Sequence, residues 1–256
     1  MGEIMKIVGT IEARMGSSRL PGKTLMEVFN GNTLLEIVVK RFKMCKDIDD
    51  IVVATTSKYK DDAISEWCKR KSVLCYRGSE EDVLDRVAGA CEYLNADVAV
   101  QMGADSAYLD FELIDELLAI FKKGDYDYVC NDLELTYPLG IYAHIVKVEK
   151  LLELNDKKNL SNKDREDVVK YIWEHPDEYK IYNVKAPAEK NVPNLRLTID
   201  YPEDFQLAKD LFTCFNRIDF GTKEIISLYE NNPKIFSIVE NLKQKSAPFL
   251  KDKQLF

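Results

Sequence analysis

Ala13-Arg14-Met15-Gly16-Ser17-Ser18-Arg19-Leu20-Pro21-Gly22-Lys23 follows directly on a mostly apolar run, Lys6 to Glu12, that reads as a β-strand. These eleven residues hold two glycines, two serines and three cations. Glycines let backbone amides approach a ligand closely, serines add hydroxyl donors, and Arg14, Arg19 and Lys23 can neutralise several phosphate oxygens together. In chemical terms Ala13, Arg14, Gly16, Ser17, Ser18, Arg19 and Lys23 make a polyphosphate cradle; the plain alternative is a solvated turn that happens to be basic. A loop at the carboxyl end of a parallel strand is also where open α/β sheets bind ligands. It is not a Walker A loop, because Gly16 and Gly22 stand one residue too far apart, nor is it the dinucleotide Gly-x-Gly-x-x-Gly.

Outward from this loop, short β-branched runs alternate with longer segments of helical period. That rhythm predicts an α/β fold with a mainly parallel sheet flanked by helices. Strands are expected at Ile51 to Thr55, Val73 to Tyr76, Val98 to Met102 and Tyr126 to Asn131. Helices are expected at about Thr33 to Cys45, Asp61 to Lys71, Glu80 to Leu94 and Phe111 to Lys123. After Pro138 and Gly140 the rhythm breaks. Strand-like runs at Ile141 to Val146, Tyr179 to Lys185 and Leu195 to Ile199 are mixed with helices near Val148 to Leu154 and Asp164 to Glu174. A helix at Pro202 to Phe215 has Phe205, Ala208, Phe212 and Phe215 at steps of three and four. The tail from Thr222 reads as a helix stopped near Asn231 to Pro233, with further helical turns around Ile235 to Gln244.

The chain has 256 residues, 36 Lys plus Arg against 44 Asp plus Glu, and a net charge of −8. That length fits one α/β domain with its own core. The acidic balance argues against a nucleic-acid or anionic-membrane binder, since both partners are held by clustered cations. Six scattered cysteines without a Cys-x-x-Cys pair, and two histidines, make a zinc site or a disulfide framework improbable. No run reaches the roughly 20 apolar residues of a membrane span, and the short run Met5 to Ile11 lacks a signal-peptide layout, so a cytoplasmic protein is expected.

Four motifs together are recognisable: the Ala13 to Lys23 loop; Val52-Val53-Ala54-Thr55; Arg77-Gly78-Ser79-Glu80-Glu81-Asp82-Val83-Leu84-Asp85-Arg86; and Leu197-Thr198-Ile199-Asp200-Tyr201-Pro202-Glu203-Asp204. They resemble the cytidylyltransferases that activate acidic sugars, the CMP-sialate and CMP-KDO synthetases, and most closely the branch named after the spore coat polysaccharide protein SpsF. The resemblance covers about residues 5 to 215. It implies a Rossmann-like, nucleotide-diphospho-sugar transferase type of sheet in one domain over 1–256. An acceptor and dimerisation insertion at about 132–195 and a helical tail at about 202–256 would complete it.

Read from the residues alone, Asp105 is either a Mg²⁺ ligand against a triphosphate or a helix N-cap, and Asp200, before Tyr201-Pro202, is an N-cap. The resemblance makes both carboxylates metal ligands. It also places Arg77, Gly78 and Ser79 beside the nucleobase, Arg86 within reach, and the Ala54 to Ser57 turn with Thr55 on the other side. The charge at the start of the Glu80 helix, with Ser79 as its cap, is also ordinary helix design. The implied reaction moves CMP from CTP to an anionic sugar acid or phosphorylated small molecule, for surface polysaccharide synthesis. Mg²⁺ would be held by Asp105 and Asp200, with Arg14 and Lys23 stabilising the departing pyrophosphate. A nucleotide-sugar glycosyltransferase or a nucleotide-binding protein without catalysis is the alternative.

The chain departs from the SpsF-like pattern at several points. Gly103-Ala104-Asp105 replaces a Gly-Asp pair, and Ser106-Ala107 replaces Cys-Pro. Leu139 and Tyr142 stand where two carboxylates are usual, and Asp167-Val168-Val169 where His-Val-Thr is usual. The acceptor site, expected from Asn131 to His144 and Asp164 to His175, is therefore altered. A homodimer is expected through an arm built from the strands after residue 136, whose edges would otherwise stay uncovered.

Overall fold

The computed structural model describes residues 5–242. The chain begins with β1 (Ile7–Ala13), a hairpin of β2 (Glu27–Phe29) and β3 (Asn32–Thr33), α1 (Leu34–Phe42), β4 (Asp50–Thr56), α2 (Asp62–Lys71), β5 (Leu74–Gly78), α3 (Val83–Tyr93), β6 (Val98–Gly103) and α4 (Phe111–Lys123). It continues through β7 (Tyr128–Cys130), β8 (His144–Lys147), α5 (Val148–Asn155), α6 (Asn162–Glu166), α7 (Lys170–Glu174), β9 (Ile181–Asn183), α8 (Pro202–Phe215) and α9 (Thr222–Asn231), then a 3₁₀ stretch, Pro233–Val239. Seven strands form one sheet in the order β5-β4-β1-β6-β8-β7-β9. Only β8 runs against the others, so the sheet is mostly parallel, as the alternating rhythm predicts.

Side-chain alternation splits the core into two layers. Ile7 and Ile11 of β1 face a cluster that takes in Leu34 and Val38 of α1, Leu117 of α4 and Phe212 of α8. Val8 faces the opposite layer, with Leu84 and Val87 of α3 and Leu151 of α5. A strand buried on both faces is apolar along most of its length, which is why β1 was legible. The helices start on side-chain caps: Thr33 accepts from the Glu36 amide, Asp82 from the Asp85 amide, and Asp110 from those of Glu112 and Leu113.

Four expectations need correction. Helix α3 starts at Val83 with Asp82 as its cap, not at Glu80 under Ser79; Ser79 Oγ instead accepts from the Asp82 amide at 3.0 Å. The expected Asp164 to Glu174 helix is two short helices, α6 and α7. Leu195 to Ile199 is no strand, only a single bridge from Arg196 to Leu139. Finally, the segments expected to leave the sheet as an arm lie within it. β8 is sandwiched between β6 and β7, and β9 pairs with β7 at the edge, so the sheet itself covers most of the edges that motivated an arm. The β2–β3 hairpin was not foreseen, although Asn30-Gly31, both at positive φ, is the usual signal for such a turn. The 3₁₀ stretch occupies part of the expected tail helix, and the rest of that expectation lies outside the described residues.

Candidate active site

The register of the parallel strands builds the site's floor. Ala13 lies opposite Thr55, and Thr55 opposite Arg77, so the carboxyl ends of β1, β4 and β5 form one row; Glu12 pairs with Gly103 of β6 on the other side. The loop after β1 folds back on itself at this end. Gly22 adopts φ 76°, a left-handed conformation in which a side chain would be strained, and its amide donates to Met15 O at 3.0 Å. Ser17 Oγ accepts from the Leu20 amide at 3.2 Å, and Thr24 Oγ1 donates to Arg14 O at 2.9 Å. Asp61, buried and not singled out in the sequence, accepts from the Met15 amide at 2.6 Å and from the Thr56 hydroxyl, tying this loop to the end of β4.

The turned loop carries Lys23 inward, where it is 9% exposed. Its ammonium donates to Asp105 Oδ2 and to Ile199 O, both at 2.6 Å, and lies 3.8 Å from Asp200 Oδ1. Arg19 pairs with Asp200 at 2.6 Å and stacks over Tyr201. Asp105 and Asp200, 95 positions apart in the chain, thus meet across one lysine. Burial raises the Asp200 pKa; Lys23 and Arg19 pull it down, while Asp105 and Asp204 push it further up, for a net rise. The Asp200 turn is held by Asp204, whose carboxylate accepts from the amides of Asp200 and Tyr201 and is itself clamped by Arg196 through two bonds of 2.8 Å. Arg196 and Asp204 brace this turn; the sequence reading quoted Asp204 only within the Leu197 to Asp204 motif and passed over Arg196, and the burial of both becomes visible only in the fold.

A cavity of about 270 Å³ opens above this pair, lined by Ala13, Arg14, Ser17, Ser18, Arg19, Lys23, Arg86, Asp105 and Asp200. Gly16 sits at its rim beside the Lys60–Glu80 ion pair. Arg86, 2% exposed, passes so close to Gly78 that a Cβ there would meet its Cγ at 3.0 Å. Its Nη1 donates to Ser79 O, while its Nε is buried without a hydrogen-bond partner. Five of the expected nucleotide contacts, Gly16, Thr55, Arg77, Gly78 and Ser79, are not in the wall of this cavity. Thr55 is buried with its hydroxyl unpartnered, and Arg77 braces the adjoining loop, donating to Thr56 O and Lys58 O and pairing with Asp62 at 2.7 Å. Among the described residues no group of three or more His, Cys, Asp or Glu side chains is arranged to hold a metal. Two carboxylates beside an anion cradle do fit Mg²⁺, which takes one or two carboxylates and completes its shell with phosphate oxygens and water.

A second cavity, about 350 Å³, lies on the β8 side and shares Glu12 and Glu166 with the first. A polar chain crosses it: Gln101 donates to Glu12, His144 Nδ1 meets Gln101 Oε1 at 2.8 Å, and His144 Nε2 meets Asp132 Oδ2 at 3.0 Å. Burial pushes the Glu12 pKa up to about 7 against the opposing pull of Gln101 and Arg86. Burial lowers the His144 pKa, but Asp132, Asp167 and Glu12 outweigh it and the net shift is upward. His144 is thus part of a cavity wall. Tyr142 OH and Ser106 Oγ, two of the departures from the SpsF-like pattern, touch at 3.0 Å.

The family model described as Cytidylyltransferase matches residues 8–245. The chain is 36% identical over 234 residues to the spore coat polysaccharide biosynthesis protein SpsF of Bacillus subtilis, covering 89% of this chain and 95% of that protein. It is 37% identical over 243 residues to the uncharacterized protein MJ1063 of Methanocaldococcus jannaschii, covering 94% and 98%. Among solved structures, a cytidylyltransferase from Leptospira borgpetersenii superposes with a TM-score of 0.85 at 29% identity, over 94% of this chain and all of that one. A match that runs from β1 past α9, over the loop, both carboxylates and the second cavity alike, means that this chain belongs to the cytidylyltransferase family of nucleotidyltransferases.

Proposed function

We propose that the protein transfers CMP from CTP to an anionic acceptor, a sugar acid or a phosphorylated small molecule, releasing pyrophosphate in a route to surface polysaccharide. The observation that carries this reading is the meeting of Asp105 and Asp200 on Lys23 directly beneath the basic loop. The acceptor oxygen attacks the α-phosphorus in line, and the bond to the α,β-bridging oxygen breaks with its electron pair leaving on pyrophosphate; a hydroxyl acceptor gives its proton to water, and a phosphate acceptor has none to lose. Lys23 has three donors, of which Asp105 and Ile199 O take two, leaving the third for a phosphate oxygen. Arg14 and the Ser17 and Ser18 hydroxyls at the cavity wall hold the outer phosphates, and Arg19, fixed by Asp200 and Tyr201, orients them. Mg²⁺, when bound at Asp105 and Asp200, would supply charge neutralisation on the phosphates.

The test is to incubate the protein with each nucleoside triphosphate, Mg²⁺ or EDTA, and a panel of sugar acids and phosphorylated acceptors, following pyrophosphate. Release with CTP alone, abolished by EDTA, supports the reading. NDP release from a sugar nucleotide would favour glycosyl transfer, and tight CTP binding without turnover would favour a nucleotide-binding protein. A homodimer is part of the proposal: β9 leaves an open edge with Tyr182 exposed, and two-fold pairing is a common cover. A monomer by light scattering at micromolar concentration that keeps full activity would remove that part.

A further inference from the structure

The second cavity has a one-sided charge. Glu12, Asp132, Glu166 and Asp167 lie in its wall, and neither Lys nor Arg does; His144 is its single basic group. A site built to take the body of a sugar acid would place cations where the acid's negative groups lie, because an unpaired anion removed from water is costly. The cations of this protein's site, Arg14, Arg19, Lys23 and Arg86, are all in the first cavity. One carboxylate of the second is also incompletely satisfied. Asp132 gives one oxygen to His144, while its Oδ1 is buried without a hydrogen-bond partner. Burial raises the Asp167 pKa, and neighbouring Asp132 raises it further, against the pull of His144.

We propose that the second cavity receives the far end of the acceptor and that this end bears a primary or substituted ammonium, so that the acceptor is a zwitterion, an inference that rests on the CMP transfer proposed above. Its anionic, nucleophilic end would reach past the shared wall into the first cavity, toward Arg14, Arg19 and Lys23. Its ammonium would sit between Asp132 and Asp167 and pair with their carboxylates. Tyr142, which lines this cavity and is tied to Ser106 beside Asp105, supplies aromatic surface near a cation and links the two cavities.

Matched pairs that differ only in an amine test this: phosphoethanolamine against 2-hydroxyethyl phosphate, and glucosaminate against gluconate. Binding is measured by calorimetry on the CTP-loaded protein, and pyrophosphate release is followed in parallel. The amine member is expected to bind about tenfold tighter, the size of one charge-assisted hydrogen bond. Asp132→Asn and Asp167→Asn should each erase most of that preference while CTP binding stays unchanged, and Asp167→His should erase it too. Equal binding of the two members, binding of neither, or a preference that survives both Asn variants overturns the inference. If CTP turnover proceeds on hydroxyl acceptors as readily as on amines, CMP transfer stands and only the ammonium fails. If no pyrophosphate forms from CTP with any acceptor although the amine binds, CMP transfer fails and the charge reading stands.

Discussion

The strands β5-β4-β1-β6 and the strands β8-β7-β9 belong to one sheet, yet they hold their ligand surfaces in different ways. In the first group, neighbours share five or six register pairs, and each functional loop simply continues a strand end. In the second, neighbours share two to four pairs. There the cavity is shaped by side chains reaching across the chain: Asn131 donates to Ile141 O and accepts from the Ala143 amide, both at 2.9 Å, and His144 spans Gln101 and Asp132. Loops that continue long parallel strands are braced by the sheet, whereas a cavity held by single polar bridges depends on each of them. On the proposed function, this sets the nucleotide site on the better braced part of the sheet and the acceptor site on the less braced part.

The largest expected effect falls where the two regions are locked together. Arg196→Ala leaves Asp204 as a buried charge without its guanidinium, and such losses cost about 3–5 kcal/mol. Chemical denaturation should show that drop, and the freed Asp200 turn should lower activity as well; a stability change under about 1 kcal/mol would mean that the clamp is dispensable. Next, Asp105→Asn or Asp200→Asn should reduce turnover by about 10²–10³-fold with little change in melting temperature, since each removes electrostatic stabilisation at an exposed or half-buried position. A large melting shift with unchanged specific activity would turn these residues into structural caps and erase the distinction between the regions.

Asn131→Ala is expected to cost about 1–3 kcal/mol, because it leaves a buried carbonyl and a buried amide without partners. Its effect should appear in KM for the acceptor before KM for CTP, measured by varying each substrate in turn; equal rises would show that the regions are not separable. Arg14→Ala should weaken CTP by about tenfold while leaving CMP nearly unaffected, because only the triphosphate has outer phosphates to lose. Equal weakening in a nucleotide titration would put Arg14 elsewhere.

The smallest effect concerns Glu12 on the wall between the two cavities. Its folded pKa of about 7 lies above the ordinary 4.5, so the folded state retains a proton that the unfolded chain releases first. Its contribution to stability is therefore complete below pH 4.5 and is lost as pH rises through 7. Glu12→Gln should lose less stability than the parent between pH 5 and pH 8. Parallel melting curves across that range would show that Glu12 titrates normally.

The sequence by itself determined the parallel half of the fold and marked out the basic loop after β1. β1, β4 and β6 are apolar on both faces over six or seven residues, and Arg14, Arg19 and Lys23 are gathered within ten positions, so local pattern carries the whole signal. Asp105 and Asp200 were legible as carboxylates after apolar runs, but from the residues alone Asp105 was equally a helix cap and Asp200 read as one. Their common lysine appeared only when β1, β6 and the segment before α8 were laid side by side. The same holds for Asp61, Arg196 and Asp204, whose charges look solvated until the fold buries them. In β7, β8 and β9, three or four residues are too few for a period to declare itself, so whether they form an arm or join the sheet was left to tertiary pairing. The charge of the second cavity is of that kind as well: Glu12, Asp132 and Asp167 come from three separate segments, and only packing turns them into one wall.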